Sequence, residues 1–246
     1  MTLAPRLLAL PAVVLLSAGV LAGCATQAAT APETDPTSGS PAGGDVTEVE
    51  VDAAWLDDGR IIGLVTSGSS TCVPPADGAT LEADGSLSVT LIEPDADQPC
   101  TRDLVPRVTL VDVPEGVDPS QDLAISVTGD GYIGSTDLEG AEGLTGGGMT
   151  DYLPSAGWTD TEGQFVLLSW GSSTCVPVVS EATASGPAEV TVTFETPPAD
   201  QACTMDMAPR ASVIGVDGLE EDSDVALVLA GTPEFDNVRI TINGEN

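Results

Sequence analysis

The chain of 246 residues carries 39 acidic side chains against six arginines, with no lysine and no histidine, for a formal charge of −33. Such a surface repels nucleic acid and anionic lipid headgroups, and it suits cationic partners or divalent ions. Its hydrophobic content of 41% and mean hydropathy of +0.16 exclude a wholly disordered polyanion, so the acids decorate folded domains.

Residues 1–23 read as an export leader. Arg6 is its one charge, and Leu7 to Leu21 is an apolar run ending in small residues. The run is short for a membrane span. It closes on Leu21-Ala22-Gly23-Cys24, a tetrapeptide that resembles the lipobox of bacterial lipoproteins. The resemblance implies that Cys24 becomes the lipidated N-terminus and takes no part in a disulfide. Two or three acyl chains, at about 0.8 kcal/mol per buried methylene, hold a folded domain stably on a bilayer. Residues 24–45, after the lipidated cysteine, are Ala, Thr, Pro, Ser and Gly with few acids, the composition of a flexible tether. Fully stretched, about twenty residues at roughly 3.3 Å each reach some 60 Å.

From there the chain is built on a duplication. Gly68-Ser69-Ser70-Thr71-Cys72-Val73-Pro74 returns letter for letter as Gly171-Ser172-Ser173-Thr174-Cys175-Val176-Pro177, an offset of 103 residues from Cys72 to Cys175. The same register relates Trp55 to Trp158, Cys100-Thr101 to Cys203-Thr204, Asp103 to Asp206 and Pro106-Arg107 to Pro209-Arg210. Two copies of one unit are therefore expected, at 46–130 and 155–246, joined by a Gly- and acid-rich connection over 131–154.

Within each copy the pattern is that of strands. Val46 to Val51 alternates with period two, and Arg60 to Thr66 is a short apolar run. Thr80 to Glu82 and Ser86 to Ile92 flank Ala83-Asp84-Gly85, a hairpin signal. Arg107 to Val113 and Asp122 to Thr128 follow. Gln164 to Trp170, Glu189 to Thr196, Ala211 to Val216 and Asp224 to Ala230 repeat the series, and Asn237 to Ile242 reads as a terminal strand without a counterpart. No stretch has helical periodicity of useful length. The expected fold is all-β: two tandem antiparallel β-sandwich or barrel-like domains, each with one disulfide.

With Cys24 assigned to lipid, four cysteines remain for two bridges. Of the three connectivities, the repeat selects Cys72–Cys100 and Cys175–Cys203, because each unit then closes itself in the same way. Neither is a Cys-x-x-Cys, so redox catalysis and a zinc site are poor readings. Asp103 with Arg107, and Asp206 with Arg210, occupy matched positions just past the second cysteine and read as structural ion pairs. The hydroxyls of the twin Gly-Ser-Ser-Thr-Cys blocks lack a His or Lys base anywhere in the chain, and read as turn caps. Trp55, Trp158 and Trp170 read as core or hinge packing. Acidic clusters at Asp95-Ala96-Asp97 and Glu220-Glu221-Asp222-Ser223-Asp224 offer hard oxygen ligands for calcium but match no EF-hand loop.

The twin blocks Gly-Ser-Ser-Thr-Cys-Val-Pro and Cys-Thr-x-Asp-x-x-Pro-Arg resemble segments of secreted proteins and lipoproteins of high-GC Gram-positive, actinobacterial type. The resemblance implies an envelope location and carries no activity with it. The expectation is an extracytoplasmic lipoprotein on the outer face of the cytoplasmic membrane, acting as a non-catalytic binding or structural module. It has no cofactor, catalytic residue or metal site, and no nucleic-acid partner; its partner is an envelope protein or a cationic ligand. A carboxylate-based hydrolase and a calcium-binding protein are the alternatives.

Overall fold

A computed structural model describes residues 46–95, 97–220 and 223–246. The leader, Cys24 and the tether lie outside the described residues, as do Ala96, Glu221 and Asp222 of the two acidic clusters. The described residues belong to one compact unit, all-β and without an α-helix.

In the first repeat the strands are β1 (Thr47–Glu48), β2 (Asp52–Leu56), β3 (Ile61–Gly68), β4 (Ala76–Leu81), β5 (Leu87–Leu91), β6 (Val105–Asp112), β7 (Leu123–Gly129) and β8 (Tyr132–Leu138). The second has β9 (Ser155–Trp158), β10 (Gln164–Gly171), β11 (Val179–Gly186), β12 (Glu189–Phe194), β13 (Ala208–Gly215), β14 (Ala226–Ala230) and β15 (Val238–Asn243). Strands β3 and β10, and β6 and β13, match residue for residue at the offset read from sequence.

Each repeat is a sandwich. Sheet β2-β3-β6 faces sheet β1-β8-β7-β5-β4 in the first. In the second, β9-β10-β13 faces β11-β12-β14-β15, and a short parallel pairing of Ile242 with Ala156 joins the two into one curled sheet. The pairing is mixed rather than purely antiparallel: β5 runs parallel to β7, and β12 to β14. The intervening strand, β6 or β13, crosses to the opposite sheet, so the chain returns in its original direction. The last two strands of each repeat pair antiparallel, β7 with β8 and β14 with β15.

The connection expected over 131–154 contains strand β8, so the first repeat runs on to Leu138 and β15 has its counterpart there. The join is a two-residue Asp130-Gly131 hairpin, with Gly129 opposite Tyr132 and Gly131 at φ +78°. Its sequence signal is weak because only Gly134 and Leu138 of β8 are buried.

The repeats stack sheet on sheet. Trp55, Ile62, Leu64, Val89, Ile125 and Val127 build one core; Trp158, Phe165, Leu167, Val192, Leu227 and Leu229 build another. A third apolar layer lies between the repeats, from Ala54, Leu56, Ile61 and Val65 on one side and Val166 and Leu168 on the other. Strands β3 and β10 are thus covered on both faces, which is why they read as unbroken apolar runs. Their even and odd residues serve different layers: Ile62 and Leu64 face inward, Ile61 and Val65 face the partner repeat.

Matched positions meet at this layer. A Cβ on Gly63 would lie 3.1 Å from Val166 Cγ1, its own counterpart. Asp52 accepts from the Thr161 hydroxyl at 2.7 Å, and the Asp57 N–H donates to Ser155 Oγ at 2.8 Å. These contacts run β2 against β9 in opposite directions, as an approximate two-fold axis requires. The twin disulfide loops therefore lie at opposite ends of the stack.

The tightest approach between the repeats is at Gly157, where a Cβ would collide with the Trp55 carbonyl oxygen. Gly157→Ala is expected to cost about 1–3 kcal/mol through overpacking, measured by urea denaturation. Gly215→Ala, where a Cβ meets nothing within 4 Å, is the matched control and should be near neutral.

Candidate functional site

Both expected disulfides form. The ladder of β3 with β6 ends at Gly68 opposite Val105, which leaves Cys72 and Cys100 side by side just past it, with Cα atoms 5.5 Å apart. Cys175 and Cys203 repeat the arrangement at 5.4 Å. Each bridge closes a sequence separation of 28 residues, and a loop of that size is stabilised by about 3–4 kcal/mol on the chain-entropy account.

Around each bridge the hydroxyls form the same network. Ser69 Oγ lies 2.8 Å from Thr101 Oγ1, and the Thr101 N–H donates to Thr71 Oγ1 at 3.0 Å; Ser172, Thr204 and Thr174 reproduce both distances. The side chains cap the loop, as their types suggested.

The expected ion pairs do not form. Asp103 accepts the Ser70 N–H at 3.2 Å, and Asp206 the Ser173 N–H at 3.1 Å. Arg107 turns instead to carbonyl oxygens of the same loop, Cys72 at 2.6 Å and Ser69 at 3.4 Å, and Arg210 reaches the carbonyl of Ser173 at 3.4 Å. Acid and base each hold the disulfide loop, one by its amides and one by its carbonyls, so neither is left for the other. The Ser70 and Thr101 hydroxyls and the Ser70 N–H hold the Asp103 carboxyl down to about 2, and the Thr204 and Ser173 hydroxyls with the Ser173 N–H do the same for Asp206.

The strongest ion pair among the described residues lies where the repeats differ. Arg60 grips Asp57 with both ends of its fork, Nε to Oδ2 at 2.9 Å and Nη2 to Oδ1 at 3.0 Å, and Asp57 is 5% exposed. Burial opposes the charge on Arg60, but the bond to Asp57 outweighs it and raises the guanidinium's pKa. Asp57, Asp58 and Gly59 all take positive φ, at 49°, 57° and 80°, a strained run that its surroundings must hold. The chain after β8 wraps it. Thr145 N–H donates to Asp58 Oδ1 at 3.2 Å, Gly146 N–H to the Asp58 carbonyl at 2.9 Å, and the Trp55 indole to the Glu139 carbonyl at 2.9 Å. The second repeat has Asp160-Thr161-Glu162-Gly163 at these positions and, among the described residues, no such clasp.

The clasp ends at an aromatic. The Thr150 hydroxyl donates to Asp57 Oδ1 and accepts from the Tyr152 N–H, each at 3.0 Å. Tyr152 is itself at φ +57°, unusual for a bulky residue. Its ring stands edge-on to Trp170 of the second repeat, with centroids 5.1 Å apart. Together they open a groove of about 550 Å³, continued by Leu153, Val176, Met205 and Met207 and floored by Phe235. The groove runs beside the Cys175–Cys203 bridge.

Of the three tryptophans, Trp55 and Trp158 are core as expected. Trp170 is half-buried on the groove wall, and its buried Nε1–H has no acceptor among the described residues, a loss of roughly 1–3 kcal/mol for such a group. Sequence reasoning did not single out the groove. Its signal was the difference between the copies: Ser67, Arg102 and Leu104 in the first stand where Trp170, Met205 and Met207 stand in the second.

A second, polar groove of about 390 Å³ lies between the repeats, lined by Glu50, Asp52, Thr66 and Thr161. Asp160 nearby has its carboxyl pushed up, first by burial and then by Asp52 and Asp137. Among the described residues, no three His, Cys, Asp or Glu side chains gather to hold a metal ion.

Two outcomes follow from these contacts. Because the Asp103 and Asp206 pKa values are depressed, their contribution to stability is full above the ordinary carboxyl range and disappears as pH falls from about 4 through about 2; carboxyl titration by NMR should place both midpoints near 2, and Thr204→Val should raise that of Asp206. Asp57→Asn, which tolerates positive φ but removes the buried charge facing Arg60, should cost about 3–5 kcal/mol and alter the near-ultraviolet signal of the Tyr152–Trp170 pair.

No protein-family model, no curated protein and no solved structure matches the chain.

Proposed function

We propose that the protein is a lipid-anchored extracytoplasmic module that binds another envelope component and catalyses no reaction. The lipobox-like Leu21-Ala22-Gly23-Cys24 and the tether behind it supply the anchor, and the Cys72–Cys100 and Cys175–Cys203 bridges suit an oxidising compartment. The observation that carries the binding role is the groove of the second repeat. Met205 is fully exposed, Leu153 is 65% exposed, and Tyr152 and Met207 are about half exposed. Contiguous apolar surface of this kind on an otherwise acidic protein marks an interaction site, and adaptable methionines beside rigid aromatics are the composition of a binding face.

The test uses the chain's own repeat as the design. The full chain and a Trp170→Ser/Met205→Arg variant, which takes the first repeat's residues at those places, are used to capture envelope components. A component held by the first and lost by the second at equal melting temperature is the expected result. Capture indifferent to the variant would remove the groove from the reading, and normal membrane retention of Cys24→Ser would remove the lipid anchor.

A further inference from the structure

Resting on that reading, we propose that the groove's occupant is a segment of another polypeptide that pairs apolar side chains with lysine or arginine. The electrostatics of the groove carry this. Among the described residues, every ionisable side chain lining it apart from the Tyr152 phenol is acidic: Glu195, Asp206 and Glu234. Glu195 and Glu234 are exposed, and Asp206 stays ionised far into acid. None of the five arginines among the described residues lines it, and the whole molecule adds its charge of −33 to the local field. That field draws a cationic segment in and speeds its encounter, while it repels a second copy of this chain and an anionic membrane surface.

The apolar part sets the second requirement. A cation alone has no use for Tyr152, Leu153, Trp170, Val176, Met205 and Met207, which need an occupant with side chains to bury. An uncharged apolar ligand, in turn, makes no use of the acidic side chains of Glu195 and Glu234. A peptide bearing both kinds of side chain satisfies the two walls together, and flexible methionines let the surface repack around it. The first repeat marks the contrast. At the matched places it carries Ser67 and Arg102, and the guanidinium would oppose the same ligand.

The test measures binding of a short leucine–lysine peptide to the purified full chain by calorimetry and by tryptophan emission. Trp55 and Trp158 are buried at 2% and 6% exposure, so a shift in emission reports Trp170. The comparison probes are a leucine–glutamate peptide, a serine–lysine peptide, and phosphatidylcholine and phosphatidylglycerol vesicles. The expected result is binding of the leucine–lysine peptide with a blue shift, weakened by salt. Glu195→Lys/Glu234→Lys should weaken it by roughly tenfold, and Trp170→Ser by roughly thirtyfold. Because Met205 is fully exposed, Met205→Arg is the variant that keeps the fold, and it too must weaken binding.

Equal binding of the leucine–glutamate peptide, equal binding of the serine–lysine peptide, or preference for vesicles would overturn the proposal, as would no binding of the leucine–lysine peptide. If envelope capture is still lost in Trp170→Ser/Met205→Arg while the leucine–lysine peptide fails, the binding module stands and the cationic partner falls. If capture ignores that variant, the groove itself falls.

Discussion

The structure depends on one apolar layer, in which sheet β2-β3-β6 lies back to back on sheet β9-β10-β13. Most sandwich domains leave the outer face of each sheet to water. These two give that face to each other, so β3 and β10 are buried on both sides. Close approach is enforced by small residues: Gly63 sits under Val166, and Gly157 lies against the Trp55 backbone. Neither repeat can keep this face dry without the other, so the duplication produced one folding unit of four layers rather than two beads on a string.

The two copies have kept different things. Their disulfide loops are the same in sequence and nearly the same in geometry, down to the hydroxyl contacts around each bridge. Those loops lie at opposite ends of the stack and serve structure. What differs is the turn that follows β2 and the surface beside the second disulfide loop. The first copy holds a strained, ion-paired turn at Asp57-Asp58-Gly59-Arg60; the second carries Trp170 and Met205 where the first has Ser67 and Arg102. The clasp of one copy reaches, through Thr150, the aromatic wall of the other. The groove is thus built by the second repeat together with Tyr152, Leu153 and Pro154 of the connection, which the first repeat's clasp holds through Thr150.

Much of this was legible in the residues. The constant register between copies selected both disulfides, and period-two alternation with short apolar runs marked the strands. Strand β8 was hidden because Asp130-Gly131 sits in a Gly- and acid-rich stretch and most β8 side chains face water. The ion pairs read at Asp103–Arg107 and Asp206–Arg210 rested on spacing, and spacing does not say which way a side chain turns. Backbone amides and carbonyls of the loop were nearer partners than the opposite charge. The clasp and the groove escaped for a common reason. Both lie where the copies disagree, and a repeat draws the eye to where they agree.

The near two-fold contact between the copies has a historical consequence. A single ancestral module would have offered the same uncovered sheet that β3 and β10 now hide, and like surfaces of this kind close on themselves as a symmetric dimer. Fusion of two such genes would then fix the stoichiometry of an existing pair. It would also release one protomer from the symmetry that made every change appear twice, which is the freedom needed for Ser67 and Trp170 to occupy corresponding places today.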